Sequence, residues 1–378
     1  MEKDRLVGLQ LGASAEDKRW SVERFVELGI LLAERTGAKI VLTGGPGEDE
    51  LGREFKKRFP HDVINLIGDT SLGELISLIY LLDLFISNDT GPLHIATAVG
   101  TPTINISLGA VHFRETGPYS EGDYVFKADI PCSPCGFNSG CKNNICKEKI
   151  KPELVWLVAD SVLNGSELEI GDISQWEGVQ LYRSAFCEDG MVDYIPQIRR
   201  SLTKEDLFLN LYRKTWIGIL ERGAAPNWQE EGETILGSLE SYYDIDPESL
   251  LEATREEYDA LKAVSDFSRS ALSILDVIKR EGGKDVPDPE LLEELWKNVR
   301  YINQQIETVA VGRISLRPLF IVFRYGLENL SGEGIPELAA SASGHYRDLL
   351  THSEALRGFM EFFVKRYHIS PSTALKFQ

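Results

Sequence analysis

Leu84-Phe85-Ile86-Ser87-Asn88-Asp89-Thr90-Gly91-Pro92-Leu93-His94-Ile95-Ala96 is the stretch that decides the fold. A short apolar strand over 84–87 runs into a tight turn at Asp89-Thr90-Gly91. A helix opens near Pro92, whose fixed φ suits a first helical turn. The peptide N–H groups of Thr90 and Gly91 then face outward at a helix N-terminus, where an anion is favoured. His94 lies one turn in, either beside that anion or packed as a satisfied histidine. Strand, turn and helix in this order are the repeating unit of an open parallel sheet.

The unit recurs on both sides. Strand patterns at 6–11, 38–43, 63–67 and 103–107 alternate with helical patterns at 24–35, 48–59, 72–82 and 92–99. Parallel strands joined by right-handed crossovers follow, and ligands of such sheets sit beyond the strands' carboxyl ends. Two more turns fall on that rim. Gly12-Ala13-Ser14-Ala15-Glu16-Asp17-Lys18-Arg19-Trp20 offers a hydroxyl and a point positive charge for a phosphate, or a cap and an exposed lysine. Thr43-Gly44-Gly45-Pro46-Gly47-Glu48-Asp49-Glu50 puts carboxylates in a first helical turn, where they favour the macrodipole or accept from a ribose diol. No P-loop ending and no Gly-x-Gly-x-x-Gly fingerprint occurs.

From residue 166 the pattern changes. Residues 179–195 read as a hairpin around Glu188-Asp189-Gly190, within a linker over 166–200. From Lys204 nearly everything is helical. Leu261, Val264, Phe267, Ala271, Ile274, Leu275 and Ile278 form one apolar stripe, and Leu291, Leu295, Val299, Ile302, Ile306 and Val309 form another. The expected architecture is therefore an α/β Rossmann-like domain over 1–165, then the linker, then a helical bundle over 201–378.

With 378 residues, 43% hydrophobic and 26% charged, the chain has the composition of a globular protein with two or three domains. Its net charge of −19 repels phosphate backbones and disfavours a nucleic-acid binder. Residues 166–378 hold 36 acidic and 23 basic side chains, so most of that excess is a solvated face of the helices. No apolar run is long enough for a membrane span and no leader-like segment opens the chain, so a cytoplasmic protein is expected. Cys132, Cys135, Cys141 and Cys146 cluster in a loop rich in Pro, Gly, Asn and Ser. They suit a structural zinc or iron, paired thiols, or buried free cysteines. Cys187 stands apart.

In their order and spacing the motifs resemble the C-terminal half of glycosyltransferase family 9, the ADP-heptose:lipopolysaccharide heptosyltransferases. The resemblance runs from Gly12 through Lys18-Arg19-Trp20, Gly44–Glu50, Gly68-Asp69-Thr70-Ser71-Leu72 and Asn88–His94 to Gly100-Thr101-Pro102 and Gly117-Pro118-Tyr119. It covers residues 5–163, and Asp-Thr-Gly-x-x-His is its most specific element. It implies half of a GT-B fold that holds a nucleotide-sugar donor, ADP-heptose-like, for inverting transfer without a divalent cation. Ser14, Lys18, Thr90 and Gly91 would meet the diphosphate, Glu50 (or Glu48) the ribose, residues 68–72 the base, and Asp89 and His94 the turn or the sugar. The acceptor would be a lipopolysaccharide, another lipid-linked glycan or a protein, which is compatible with a peripheral place at the inner membrane. Some relatives carry a similar Cys-Ser-Pro-Cys segment.

In that family a preceding Rossmann-like half carries the acceptor site and the general base. Here the donor half begins almost at Met1, so the other half is expected from a longer protein or another chain. The catalytic base is unknown; His94, His112 and Asp89 are the only candidates. Two competing expectations are a non-catalytic nucleotide-binding or assembly protein with an oligomerising helical module, and a different GT-B enzyme such as a sugar epimerase.

Overall fold

The structure is a computed structural model that describes residues 5–135, 141, 143–171, 173–187 and 189–367. Contacts divide the chain into two compact units, Met1–Arg199 and Arg200–Gln378.

The first unit is built on strands β1 (Leu6–Gln10), β2 (Lys39–Thr43), β3 (Val63–Asn65), β4 (Leu84–Asn88), β5 (Thr103–Ser107), β6 (Tyr124–Ala128), β7 (Val179–Phe186) and β8 (Val192–Pro196). Their order across the sheet is β3-β2-β1-β4-β5-β6-β7-β8. The first six run parallel, β7 pairs antiparallel with β6, and β8 pairs antiparallel with β7. The hairpin thus belongs to the sheet; Glu188 of its turn lies outside the described residues. Helices α1 (Val22–Thr36), α2 (Asp49–Arg58), α3 (Leu72–Leu81), α4 (Gly91–Val99), α5 (Phe113–Thr116), α6 (Ile145–Lys149) and α7 (Pro152–Asn164) connect the strands.

Local chemistry sets the helix ends. Ser71 and Glu74 form a reciprocal capping box on α3. Gly100 takes the left-handed conformation that ends α4, with φ of 77°. The larger core lies under α1 and α7, around Leu9, Phe25, Leu28, Leu42, Phe55, Ile86 and Val155. A smaller one, with Ile79, Leu82, Phe85 and Ala96, lies on the side of α3 and α4. Strand order reverses between β1 and β4, and there the two crossovers leave the sheet in opposite directions. In open sheets of this kind, ligands bind at the carboxyl ends of such neighbours.

The second unit is helical: α8 (Lys204–Arg222), α9 (Trp228–Tyr242), α10 (Pro247–Gly282), α11 (Pro289–Ala310), α12 (Arg317–Glu328) and α13 (Ile335–Arg366). Tyr258 meets Glu361, Arg269 meets Glu354, and Gly282 abuts Ile335, so α10 and α13 run antiparallel. Leu261, Val264, Ala271, Leu275 and Ile278 of the α10 stripe are buried in one core with Tyr346, Leu356 and Phe359 of α13. Phe267 and Ile274 stay half-buried at its margin. No described helix is long and apolar enough to cross a membrane.

Candidate functional site

The rim of the first unit begins with a row of polar side chains on adjacent parallel strands. Thr43, Gln10, Ser87 and Asn105 share one register across β2, β1, β4 and β5. All four are at most 3% exposed. Burying polar groups in a sheet core costs free energy unless each is bonded, so such a row marks a place that the core alone does not explain.

Asn88, the last residue of β4, ties the two central turns together. Its Nδ2 donates to the carbonyls of Leu11 at 3.0 Å and Gly12 at 3.2 Å. Its Oδ1 accepts from the Trp20 amide at 2.9 Å. Both ends of the Gly12–Trp20 segment are therefore anchored to the residue just before Asp89-Thr90-Gly91. Trp20 is itself buried, and its indole N–H donates to the Ile150 carbonyl at 3.1 Å. Ser14 is exposed within this anchored loop, and Lys18 ends its short 3₁₀ turn, Glu16–Lys18.

At the opposite turn, Thr90 is the extended N-cap of α4, but its side chain does not cap the helix. Thr90 Oγ1 lies 3.2 Å from Ser87 Oγ instead. Asp89 is half-buried behind the turn, and burial raises its pKa above the usual carboxylate range. Thr116, Lys18, His94 and Asn105 oppose that rise, so Lys18 and His94 act on the same carboxylate from separate segments. Among the described residues, Asp89 Oδ1 and both amide atoms of Asn105 are buried with no partner at hydrogen-bonding geometry, so Asn105 bears on Asp89 as a nearby dipole. His112 lies on the loop after β5, and burial lowers its pKa.

Lys18 and His94 thus both bear electrostatically on Asp89, and Thr90 and Gly91 open the adjoining helix. Glu50 stands apart, exposed on α2 in an i,i+3 ion pair with Arg53 at 2.5 Å. Glu48 occupies the rim. Its Oε2 accepts from the Gly45 amide at 3.0 Å and from Gln10 Nε2 at 3.2 Å. A Cβ placed on Gly12 would lie 1.7 Å from Glu48 Oε1, so glycine is needed there for the carboxylate to reach across the first turn. Sequence reading missed Gln10 and Asn88. The signal for Gln10 was a polar residue inside an otherwise apolar strand, Leu6-Val7-Gly8-Leu9-Gln10-Leu11.

The expected zinc or iron site at Cys132, Cys135, Cys141 and Cys146 is not found. Among the described residues no three His, Cys, Asp or Glu side chains gather closely enough to hold a metal ion. Cys146 is buried in the large core, Cys132 is exposed, and Cys141 Sγ accepts the Asn144 amide at 3.4 Å. Residues 136–140 and 142 of this segment lie outside the described residues.

Residues 2–145 match the model of glycosyltransferase family 9 (heptosyltransferase). The chain is 30% identical over 171 residues to lipooligosaccharide heptosyltransferase 2 of Campylobacter jejuni, a match that covers 43% of this chain and 53% of that protein. It is 35% identical over 134 residues to lipopolysaccharide heptosyltransferase 3 of Escherichia coli K12, covering 33% and 37%. The solved E. coli ADP-heptose lps heptosyltransferase II aligns over 44% of this chain and 48% of its own, at 24% identity and a TM-score of 0.38. The chain spans about half the length, or less, of these relatives. The likeness to glycosyltransferase family 9 (heptosyltransferase) thus falls on residues 2–145, within the first unit.

Proposed function

We propose that the first unit binds the nucleotide-sugar donor, ADP-heptose-like, of a glycosyl transfer to a lipopolysaccharide-type acceptor. The observation that carries this reading is the welding of two rim turns by Asn88, with Lys18 and His94 both acting on Asp89. A diphosphate lies between Lys18 with Ser14 on one side and the Thr90 and Gly91 amides on the other. The ribose diol donates to Glu48, because Glu50 is engaged with Arg53 in solvent. The base lies toward residues 68–72.

In inverting transfer the C1–O bond to the diphosphate breaks, and its electron pair stays with the leaving nucleotide. The acceptor hydroxyl oxygen bonds to C1 from the opposite face, and its proton passes to a base supplied with the acceptor. Negative charge grows on the leaving phosphate as the sugar becomes oxocarbenium-like. Helix N-terminal amides and one ammonium, already fixed in place, stabilise that charge most where it develops. Asp89 offsets part of the positive field and orients the turn.

The test is thermal melting of the intact chain with and without ADP or an ADP-sugar. Binding to the folded state raises the melting temperature by mass action. ADP should raise it, and Lys18→Ala should remove most of the rise while leaving the unliganded melt unchanged. No rise with any nucleotide or nucleotide sugar would overturn the reading.

A further inference from the structure

Glu48 is held by a chain of hydrogen bonds that starts inside the sheet. The Thr43 hydroxyl donates to Gln10 Oε1 at 2.9 Å, and Gln10 Nε2 donates to Glu48 Oε2 at 3.2 Å. Thr43 and Gln10 face each other in the β1–β2 register and are 1% and 3% exposed. The carboxylate can only accept, so the amide must present its NH₂ to Glu48 and its oxygen to the hydroxyl. The Gly45 amide provides a second donor to the same carboxylate oxygen, at 3.0 Å. Glu48 Oε2 is thus occupied. Oε1 accepts no hydrogen bond among the described residues and extends over Gly12.

We propose that Gln10 is a positioning residue for nucleotide recognition: by fixing Glu48 Oε2 it aims Oε1 at the ribose diol, and so sets the preference for ribonucleotides over nucleotides lacking the diol. This rests on the nucleotide-sugar reading of the rim. A carboxylate free to rotate pays orientational entropy on each binding event, whereas a fixed one offers its acceptor already aligned. Gln10 touches no substrate. Its influence passes wholly through Glu48, with Thr43 as the inner anchor.

The experiment is calorimetric titration of the intact chain with ADP and with 2′,3′-dideoxy-ADP. The unsubstituted chain should prefer ADP by about tenfold or more, the worth of one hydrogen bond to a charged acceptor. Gln10→Met keeps the length and removes the donor. It should bring the ratio of the two affinities toward one while changing 2′,3′-dideoxy-ADP binding less than about twofold. A merely structural defect would weaken both nucleotides equally. Thr43→Val, which leaves Gln10 in place but unanchored, should lower the ratio by a smaller factor, and it serves as the readout if Gln10→Met does not fold. An unchanged ratio in the folded variants overturns the role of Gln10 and leaves the donor site standing. ADP bound without preference for the diol does the same. Absence of ADP binding overturns the nucleotide reading and this inference with it.

Discussion

The two units bury polar side chains in different ways. In the helical unit buried hydroxyls turn back on their own helix: Thr254, Ser265 and Ser343 donate to the carbonyls of Leu250, Leu261 and Ala339, each four residues earlier. Such bonds satisfy the hydroxyl and link nothing else. In the sheet unit the buried polar groups reach across elements. Asn88 joins β4 to the loop after β1, and Gln10 joins β2 to the turn before α2. Polar groups that cross between elements at one end of a sheet fix a geometry, which core packing by itself does not require. The difference separates a unit with a legible site from one whose stripes are explained by packing.

Charge provides the sharpest way to break that comparison, because a buried ion pair links two helices of the helical unit. Lys204 of α8 lies 2.7 Å from Glu257 of α10, and the Glu257 side chain is only 3% exposed. Lys204→Met would strand the carboxylate and should destabilise the chain by about 3–5 kcal/mol in chemical denaturation. ADP affinity measured where the chain is still folded should not change. A loss of affinity would mean that this unit takes part in the site.

Asn88→Ala is the matching change on the rim. It removes the donor to two carbonyls and the acceptor for the buried Trp20 amide. A cost of about 2–4 kcal/mol is expected in denaturant melts. Unlike the Lys204 change, it should also weaken ADP binding more than tenfold by calorimetry, a loss of about 1.4 kcal/mol or more. Destabilisation with unaltered affinity would show that the two turns do not act as one site.

Asp89 gives a prediction of opposite sign. Burial raises its folded pKa above the ordinary value of 3.8. The unfolded chain therefore ionises first as pH rises. Stability falls as pH rises from about 3.8 through the raised value, and the cost is complete above it. Asp89→Asn should raise the melting temperature by a few degrees at pH 7 and have little effect below pH 3.8. ADP-dependent stabilisation should change in the same variant, since the turn loses the group that Lys18 and His94 face. A lower melting temperature at pH 7 would contradict the burial argument.

The smallest effect belongs to a helix hydroxyl. Ser265→Ala removes a bond confined to α10. It should shift stability by no more than about 1 kcal/mol. A larger cost would show that Ser265 has a partner beyond its own helix.

Much of this was legible before the structure. Apolar runs bounded by Gly and Pro marked β1 to β5 and the helices between them, because β1, β2, β4 and β5 are largely buried on both faces and read as continuous hydrophobicity. β6 and α7 went unmarked. Tyr124-Val125-Phe126-Lys127-Ala128 follows a turn-rich stretch and is broken by a lysine, and α7 carries apolar residues nearly all round. At the site, composition marked Lys18 and the Asp89-Thr90-Gly91 turn, since a lone cation and a helix start are local features. The choice between Glu48 and Glu50 was not local. Both lie at the start of α2, Glu48 just before it and Glu50 in its first turn, and only the pairing of β1 with β2 puts Glu48 over Gly12. Cysteine spacing is silent for the same reason: Cys146 faces the core because of how α6 packs, which no spacing records.

The most direct measurement is a crystal structure of the intact chain with ADP. The account predicts the β-phosphate within about 3 Å of both Lys18 Nζ and the Thr90 or Gly91 amide, a charge-assisted hydrogen-bond distance, with the ribose hydroxyls on Glu48. A nucleotide lodged elsewhere, or Lys18 and the Thr90 turn facing different molecules, would contradict it.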